Sequence, residues 1–262
     1  MAQLTMGCIF FGNRKSERRE LNMEFNKAVI VSIEGNIGVG KSTLIEKLSE
    51  IPGLNVASEP IQEWQSIDHP YERGRKINLF ELMYKNKQRY TFPFEVFVML
   101  TQLRQHMEAT HKVRVIERAL GSLMFIRHAA ECGNLSPTEV ATLNEWKNFI
   151  YVHPKINMGP KLVVYLKATP EKALQRIRSR GRPEERDIDL RFLREIHKLH
   201  EDWLIHRTIC TELDLKILVI NVDDENEADA NYEIVKREIL ALIAAEDMAD
   251  AVIQNEYNSE IE

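Results

Sequence analysis

The chain has 262 residues, 44% of them hydrophobic, which is enough to bury the core of one large α/β domain. It carries 35 Lys and Arg against 40 Asp and Glu, and the net charge of −5 argues against nucleic acid as a partner. Three scattered cysteines without a C-x-x-C pair favour a reducing compartment and disfavour structural zinc. No apolar run reaches the roughly twenty residues that span a membrane. We therefore expect a soluble, cytoplasmic protein, with mitochondria as the alternative location.

The two ends of the chain differ in composition from its middle. Residues 1–26 include a basic segment, but its glutamates spoil the acid-poor pattern of a mitochondrial presequence. We predict a disordered leader there and keep a transit peptide as the alternative. After an acidic segment at 223–227, the pattern predicts an amphipathic helix near 232–251 and a frayed tail over 253–262. The domain itself is expected to span 27–252.

Short apolar runs alternate with long helical patterns through the middle of the chain. The runs are typical of buried strands, and the connections between them are long enough to be crossovers. We therefore predict a five-stranded parallel sheet with helices on both faces. The predicted strands are 29–34, 54–58, 113–117, 162–167 and 217–222. Because ligands of such sheets bind at the carboxyl ends of the strands, the residues that follow them are the first candidates for chemistry.

The first strand leads directly into EGNIGVGKST, which contains the pattern G-x-x-x-x-G-K-[ST] and opens a helical pattern. In this strand-loop-helix context the glycines let backbone N–H groups surround phosphate oxygens, and the helix adds the positive end of its dipole. The lysine can reach the outer phosphates, and the serine hydroxyl is suited to Mg²⁺. The residues predicted to bind ATP here are Gly35, Asn36, Ile37, Gly38, Val39, Gly40, Lys41, Ser42 and Thr43.

Charged side chains follow the second and third strands. Pro60 keeps Glu59 extended at a strand end, where its carboxylate is placed to take a proton from an attacking hydroxyl. A solvated surface position is the alternative for this glutamate, and nearby Trp64 fits either the core or stacking on a flat ligand. After the third strand, Glu117 is placed to contact Mg²⁺ and Arg118 to offset charge on a phosphoryl group.

The densest cationic stretch, 176–186, holds five arginines interrupted by a glycine and a proline. This composition does not predict one continuous helix. Beside a phosphate-binding loop it favours a lid in which Arg178, Arg180 and Arg182 grip a polyphosphate, with a solvated helix end as the alternative.

A helix predicted over 93–111 places Glu95, Val98 and Gln102 on one face. Most such faces pack in the core, but two polar residues on an apolar face are candidates for reading a ligand. The histidines that we considered as metal ligands show no suitable spacing with a carboxylate in register, and we interpret them as structural. They are His106, His197, His200 and His206.

These elements together resemble a known family. The segments that carry the resemblance are EGNIGVGKST, EPIQEW, NLFELMYKN, PFEVFVMLTQLRQH, the ER after the third strand, RIRSRGRPEE and LREIHKLHEDWLIH. They are similar, in the same order, to segments of the deoxyribonucleoside kinases of the thymidine kinase 2 and insect deoxynucleoside kinase type. The resemblance covers about 28–222 and implies a P-loop kinase fold, transfer of phosphate from Mg-ATP to a deoxynucleoside in nucleotide salvage, and a homodimer.

The resemblance also implies roles for individual residues. Glu59 matches the general base that activates the sugar 5′-hydroxyl, Lys41 and Arg118 are further expected catalytic residues that act on the phosphates, and Ser42 and Glu117 match the Mg²⁺ site. Arg118, Arg180 and Arg182 match the arginines on the transferred phosphoryl group. Substrate-binding positions are the pocket walls, the stacking Phe94 and the pair Tyr84 and Glu185 that holds the 3′-hydroxyl. The walls are Trp64, Phe80, Met83, Val98 and Phe125.

Three departures from the family leave base preference open. Glu95 stands where the family usually has Gln, and an ionised carboxylate offers acceptors only. It would repel thymine O4 and suit guanine, unless burial raises its pKa and a proton restores the donor. Gln102 falls where relatives vary with specificity. Ala119 replaces the usual Ser, and about two residues are missing before Phe125.

Three alternative functions share part of this pattern. A nucleoside-monophosphate kinase shares the loop and lid but needs a second phosphate-binding group in the acceptor pocket. A regulatory GTPase should carry an N-K-x-D segment, which the sequence lacks. A non-catalytic subunit with a kinase fold is the third alternative, and the intact Lys41, Glu59 and Arg118 argue against it.

Overall fold

The computed structural model describes residues 28–107, 113–119, 123–152, 156, 158–209 and 215–259. The leader predicted over 1–26 lies outside them. The described strands are β1 Val29–Glu34, β2 Asn55–Ala57, β3 Ile67–Asp68, β4 Lys76–Ile77, β5 Val113–Glu117, β6 Pro160–Lys167 and β7 Lys216–Asn221. The described helices are α1 Lys41–Leu48, α2 Ile61–Trp64, α3 Leu79–Lys85, α4 Lys87–Met107, α5 Leu123–Glu131, α6 Pro137–Val152, α7 Pro170–Arg180, α8 Leu190–Leu204 and α9 Ala228–Ser259.

Five of these strands form one parallel sheet in the order β2-β5-β1-β6-β7. This confirms the predicted five-stranded α/β architecture. The central strand β1 pairs with β5 on one side and β6 on the other, and all six of its residues are buried. Because these strands are parallel, the carboxyl ends of β1, β2 and β5 lie at one edge of the sheet, although the strands come from distant parts of the chain.

Helices cover both faces of the sheet, since successive side chains of a strand point to opposite sides. Val31 and Ile33 of β1 pack in a core with Ile45 of α1 and Ile177 of α7. Ile30 points the other way and packs in a second core that includes residues of α4, α5 and α6. Within the described residues, no helix combines the length and apolar character needed to cross a membrane.

Several element boundaries differ from the predicted ones. Helix α4 begins at Lys87, six residues before Pro93, although proline cannot donate the backbone hydrogen bond expected at that position of a helix. The predicted end of this helix, 108–111, lies outside the described residues. The short antiparallel pair β3 and β4 was not predicted, because two-residue strands carry no periodic signal.

The arginine-rich stretch breaks where its composition indicated. Helix α7 ends at Arg180, Gly181 adopts φ +66° at its carboxyl end, and a 3₁₀ turn follows over Pro183–Glu185. The carboxyl-terminal helix α9, by contrast, is longer than predicted and remains helical through most of the segment expected to be a frayed tail. No glycine or proline interrupts 228–259, so nothing local stops the helix. The boundaries of the domain stay a prediction.

Candidate active site

A large cavity opens at the carboxyl edge of the sheet, beside the turn between β1 and α1. Its polar half is formed by the phosphate-loop pattern and by the residues after β2 and β5. Its apolar half is formed by α2, α3, α4 and α5, and the turn Pro183–Glu185 lies at its mouth. The predicted residues in its wall are Ile37, Gly38, Gly40, Lys41, Ser42, Thr43, Glu59, Trp64, Phe80, Met83, Tyr84, Phe94, Glu95, Val98, Glu117, Arg118, Phe125, Arg180, Arg182 and Glu185.

The loop before α1 has the backbone that phosphate binding requires. Gly35, Gly38 and Gly40 have φ values of +140°, +79° and +100°, and the first helical residue is Lys41. The Lys41 ammonium donates to the carbonyl oxygens of Asn36 (2.8 Å) and Gly35 (3.3 Å), and burial lowers its pKa to about 8. The Asn36 side chain turns away from the cavity and donates to the carbonyl of Leu193, so it braces the loop against α8.

Two of the glycines are required by space as well as by conformation. A Cβ atom at Gly35 would lie 2.5 Å from the carbonyl oxygen of Leu166, and one at Gly38 would lie 2.6 Å from that of Ala173. Gly35→Ala is therefore expected to lower the free energy of unfolding by at least about 3 kcal/mol, from backbone strain and this contact together. Denaturation with urea measures the loss.

Gly53→Ala is the matched control for this prediction. Gly53 also has a positive φ, +78°, but nothing lies within 4 Å of a Cβ atom built there. Its replacement should cost only the conformational strain, about 1–2 kcal/mol. Equal losses for the two variants would contradict the packing argument.

Arg118 joins the two charged strand ends to the phosphate loop. Its Nε donates to Glu59 Oε1 at 2.8 Å, and one of its terminal nitrogens donates to the carbonyl oxygen of Gly35 at 2.8 Å. The guanidinium also lies 4.7 Å from the centre of the Phe125 ring. Arg118 has φ +64°, a left-handed conformation that turns its side chain back into the cavity. The two strand-end side chains, which the sequence placed separately, thus form an ion pair in the folded protein.

Sequence reasoning missed Glu34, the last residue of β1. Its buried carboxylate accepts hydrogen bonds from the Ser32 hydroxyl (2.5 Å) and the Ala119 backbone N–H (2.7 Å), while burial raises its pKa. The second bond fixes the turn that carries Arg118. The signal in the sequence was an acidic residue at the end of a mostly apolar strand, directly before the first loop glycine.

The hydroxyl of Ser42 and the carboxylate of Glu117 meet in the same cavity. Ser42 Oγ lies 3.1 and 3.2 Å from the two carboxylate oxygens, and the backbone N–H of Glu59 donates to one of them at 3.4 Å. Burial raises the pKa of Glu117, and the neighbouring Glu59 raises it further, while Lys41 and Arg118 oppose the shift. A hydroxyl beside a carboxylate is an oxygen-only donor set, which fits Mg²⁺.

The apolar half of the cavity is an aromatic pocket, formed by Trp64, Phe80, Phe94 and Tyr84. The Trp64 and Phe94 rings meet edge to face at 5.3 Å, and Phe80 lies 5.7 Å from Phe94. Trp64 is 3% exposed and donates its indole N–H to the Thr101 hydroxyl, so it belongs to the core and to the cavity wall at once. A pocket of this kind suits a flat ring.

Glu95 is the one acidic side chain of α4 that faces this pocket within the described part of the chain. It is 5% exposed, and its Oε2 atom has no hydrogen-bond partner. Burial, with a smaller contribution from Glu59, raises its pKa from 4.5 to about 8, while Arg118 opposes the shift. At neutral pH the carboxyl group is therefore predominantly protonated, with one donor and one acceptor.

Outside the phosphate loop, two of the predicted site residues do not line the main cavity. Arg178 donates to the carbonyl oxygens of Arg186 and Ile188 (2.9 Å for the second), so it holds the lid together and lines neither cleft beside the phosphate loop. Gln102 is buried two turns beyond Glu95 and lines a small separate cavity with His106 and Met158. The helical spacing placed it on the right face but too far along α4.

The remaining lid residues converge on Glu185. Arg180 donates to its Oε2 at 2.6 Å and Arg182 to its Oε1 at 3.3 Å. Burial raises the pKa of the Tyr84 phenol, and the nearby Glu185 carboxylate raises it further, so Tyr84 stays protonated.

Further wall residues that sequence reasoning missed include Lys87, Thr91, His128 and Phe192. They carry no motif, and only the packing of α4, α5 and α8 brings them together.

A second cleft adjoins the phosphate loop on the side of β7 and α9. Val39, Thr43 and Arg180 border it together with Arg176, which donates to the carbonyl oxygen of Val222 at 2.8 Å. These features together define a P-loop phosphotransferase: a loop with a buried lysine, an arginine beside a carboxylate, and one cleft on each side of the loop.

Comparisons with known proteins identify the family. The model of the deoxynucleoside kinase family matches residues 31–244. Deoxycytidine kinase 2 of Gallus gallus is 31% identical over 84% of this chain and 91% of its own length. Thymidine kinase 2, mitochondrial, of Homo sapiens is 31% identical over 82% of this chain and 80% of its own length. Deoxycytidine kinase of Bos taurus is 29% identical over 79% of this chain and 89% of its own length. The chain therefore belongs to the deoxynucleoside kinase family, and it is an ATP-dependent kinase of deoxynucleosides.

Proposed function

We propose that the chain transfers the γ-phosphoryl group of ATP to the 5′-hydroxyl of a deoxynucleoside, with Glu59 as the general base. The observation that supports this most directly is the Glu59 carboxylate in the cavity wall between the phosphate loop and the aromatic pocket, oriented by Arg118 at 2.8 Å. The 5′-oxygen gives its proton to Glu59 and bonds to the γ-phosphorus while the bond to the β,γ-bridging oxygen breaks and ADP leaves. Alignment and charge neutralisation provide most of the acceleration.

On the acceptor side, the base lies in the aromatic pocket against Phe94 and between Trp64 and Phe125. Tyr84 and Glu185 receive the 3′-hydroxyl, because a protonated phenol can donate to it and a carboxylate can accept from it. Glu185 also anchors Arg180 and Arg182, so a bound sugar and the lid arginines share one carboxylate. This arrangement couples acceptor binding to the cations that meet the phosphates.

On the donor side, the triphosphate lies along the phosphate loop with Lys41 and the lid arginines, and the adenine occupies the second cleft between Arg176 and α9. Ser42 and Glu117 would hold Mg²⁺, which supplies charge neutralisation at the phosphate oxygens when it is bound. Lys41 already donates to loop carbonyls, which holds its ammonium over the place where phosphates bind.

A coupled assay of ADP release tests the proposal with the purified chain and Mg-ATP. Thymidine, deoxycytidine, deoxyadenosine, deoxyguanosine and their monophosphates are offered separately. Turnover with at least one nucleoside and none of the monophosphates is expected, because the Glu59 carboxylate would repel a second phosphate and the protonated Glu95 supplies no positive charge to bind it. Turnover with monophosphates, or ATP binding without any turnover, would overturn the proposal.

Glu95 sets the base preference in a way that depends on pH. The protonated carboxyl offers the same donor and acceptor pair as the glutamine of relatives, whereas the ionised form offers acceptors only. The ratio of kcat/KM for thymidine to that for deoxyguanosine should therefore fall as pH rises from 6.5 to 9. In Glu95→Gln this ratio should stay flat. Parallel pH profiles for the two proteins would contradict the prediction.

The protonation of Glu95 can also be tested through the pH dependence of the unfolding free energy. In the unfolded chain Glu95 titrates near 4.5, and in the folded protein near 8. The folded state therefore holds the extra proton between these values, and the unfolding free energy falls with rising pH by up to about 1.4 kcal/mol per unit. Glu95→Gln should remove this part of the slope between pH 5 and 8.

We further propose that two copies associate through the outer faces of α4 and α6. Val96, Leu100 and Met107 lie on the face of α4 opposite Glu95, with exposed fractions of 36%, 46% and 58%, and Trp146 of α6 is 52% exposed. Leu100→Glu should shift the mass measured by light scattering from dimer to monomer. Leu240→Glu is the matched control, since Leu240 is 42% exposed on the distant α9.

We propose that the protein is cytoplasmic, because its three scattered cysteines favour a reducing compartment. Cell fractionation with an intact amino terminus tests this, and recovery of the protein in mitochondria would overturn it. One relative, the thymidine kinase 2 of Homo sapiens, is mitochondrial by name.

A further inference from the structure

Three potential metal ligands meet between α5 and α8, at the edge of the cavity away from the phosphate loop. They are His128 and Cys132, one turn apart on α5, and Glu195 on α8, and their donor atoms all lie within 4.8 Å of one another. His128 Nε2 is 2.8 Å from Glu195 Oε2, and Cys132 Sγ is 3.6 Å from the same nitrogen. Phosphoryl transfer as described above requires none of these three groups.

We propose that this His-Cys-Glu cluster binds a thiophilic divalent cation, with Zn²⁺ as the best match. Thiolate, imidazole and carboxylate are the three ligand types that zinc takes in proteins. For tetrahedral zinc with ordinary bond lengths, the sulfur and nitrogen ligands stand about 3.6 Å apart and the nitrogen and oxygen ligands about 3.4 Å. The sulfur-to-nitrogen separation already has this value, whereas the nitrogen-to-oxygen separation must widen from 2.8 Å to about 3.4 Å. Cys132 Sγ also lies 4.0 Å from His128 Nδ1, so the thiol must turn toward the lone pair of Nε2 to share a metal with it.

The helices hold the ligands ready for a metal. Residues four apart on a helix lie on one face, so α5 fixes two ligands at once, and α8 packs directly against it. His128 is buried, whereas Cys132 is exposed, which gives a cation a path from solvent and leaves the fourth position to water. Zinc would replace the proton that now lies between His128 and Glu195.

One neighbouring charge opposes the cation. Arg191 donates to Glu195 Oε1 at 3.0 Å, but its side chain is 86% exposed, so the pair is weak in water. The other carboxylate oxygen faces His128 and stays available to a metal. Two further cations are nearby: Arg127 is paired with Glu131 at 2.9 Å on the outer face of α5, and the Lys87 ammonium lies 4.8 Å from the centre of the Phe192 ring.

The cluster adjoins the active-site wall through a row of rings. His128 meets Phe192 edge to face at 5.0 Å, Phe192 lies 6.5 Å from Phe125, and Arg118 lies over Phe125. A cation bound by both helices would clamp α5 to α8 next to the nucleoside pocket. Zinc should therefore raise the melting temperature of the folded chain.

Cobalt substitution tests the site without reference to kinase activity. Co²⁺ added to the reduced full chain should produce a thiolate charge-transfer band in the near ultraviolet and intense visible bands of tetrahedral geometry, both displaced by Zn²⁺. Cys132→Ser should abolish the charge-transfer band and weaken zinc affinity, measured with a competing chelator, by at least about tenfold. Cys132 is exposed, so this replacement is not expected to disturb folding.

The other two cysteines provide controls. Cys8→Ser and Cys210→Ser, both outside the described residues, should keep the bands, the zinc affinity and the rise in melting temperature. Glu195→Gln should weaken affinity while the thiolate band persists. If the wild-type protein shows no thiolate band, or if the band survives Cys132→Ser, the proposal is wrong.

Discussion

Glu59→Gln is expected to lower kcat for the nucleoside by about 10²- to 10⁴-fold, the range that a general base contributes. The amide has the shape of the carboxylate and can still accept the hydrogen bond from Arg118, but it cannot take the proton of the 5′-hydroxyl. The KM for ATP should change little, because the phosphate loop and the second cleft are untouched. Steady-state rates with a saturating nucleoside measure the effect, which corresponds to about 3–5 kcal/mol of transition-state stabilisation.

Glu63→Gln is the control for this variant. Glu63 lies four residues after Glu59, on the short helix α2, and its side chain is 46% exposed and 3.4 Å from Arg104. Its replacement removes one negative charge near the site without touching the cavity. A fall in kcat of less than tenfold in Glu59→Gln, or an equal fall in Glu63→Gln, would exclude Glu59 as the base.

Arg118→Lys is expected to reduce kcat by about 10³-fold, the lower end of the contribution of an arginine on a transferring phosphoryl group. The guanidinium binds the Glu59 carboxylate and the Gly35 carbonyl at the same time and stacks on Phe125. An ammonium keeps the charge but cannot make these directed contacts together. Both the orientation of Glu59 and the stabilisation of the phosphates should therefore suffer.

Two comparisons separate this effect from a general loss of structure. Arg127→Lys, on the exposed face of α5, makes the same chemical change outside the cavity and should leave kcat unchanged. The double variant Glu59→Gln with Arg118→Lys should be less impaired than the product of the single losses, because the two side chains act as a unit. Additive losses would mean that Arg118 does not act through Glu59.

The agreement between sequence and structure is closest where the determinants are local. The phosphate loop follows from a strand, three glycines and a helix that are contiguous in the chain, so its backbone could be predicted residue by residue. Glu59 and Arg118 could each be placed at a strand end, since the carboxyl ends of parallel strands share one edge. The break in the lid at Gly181 followed from its lack of a side chain.

Where groups meet across elements, the sequence was less informative. Gln102 has the right helical phase but lies beyond the cavity, and Arg178 binds backbone carbonyls of its own lid. Residue spacing does not show how far along a helix the cavity extends, nor in which direction a long side chain points. The cluster of His128, Cys132 and Glu195 escaped notice because its ligands come from two helices and form no short motif.

The sequence by itself thus determined the class of fold, the phosphate loop and the charged side chains at the strand ends, because these depend on short-range backbone geometry and strand order. The tertiary structure alone decided which of them meet. It also decided the protonation of Glu95, which depends on burial among aromatic rings from α2, α3 and α4 and on its distance from Glu59 and Arg118. Desolvation is a property of the whole packed site, and no pattern of neighbouring residues encodes it.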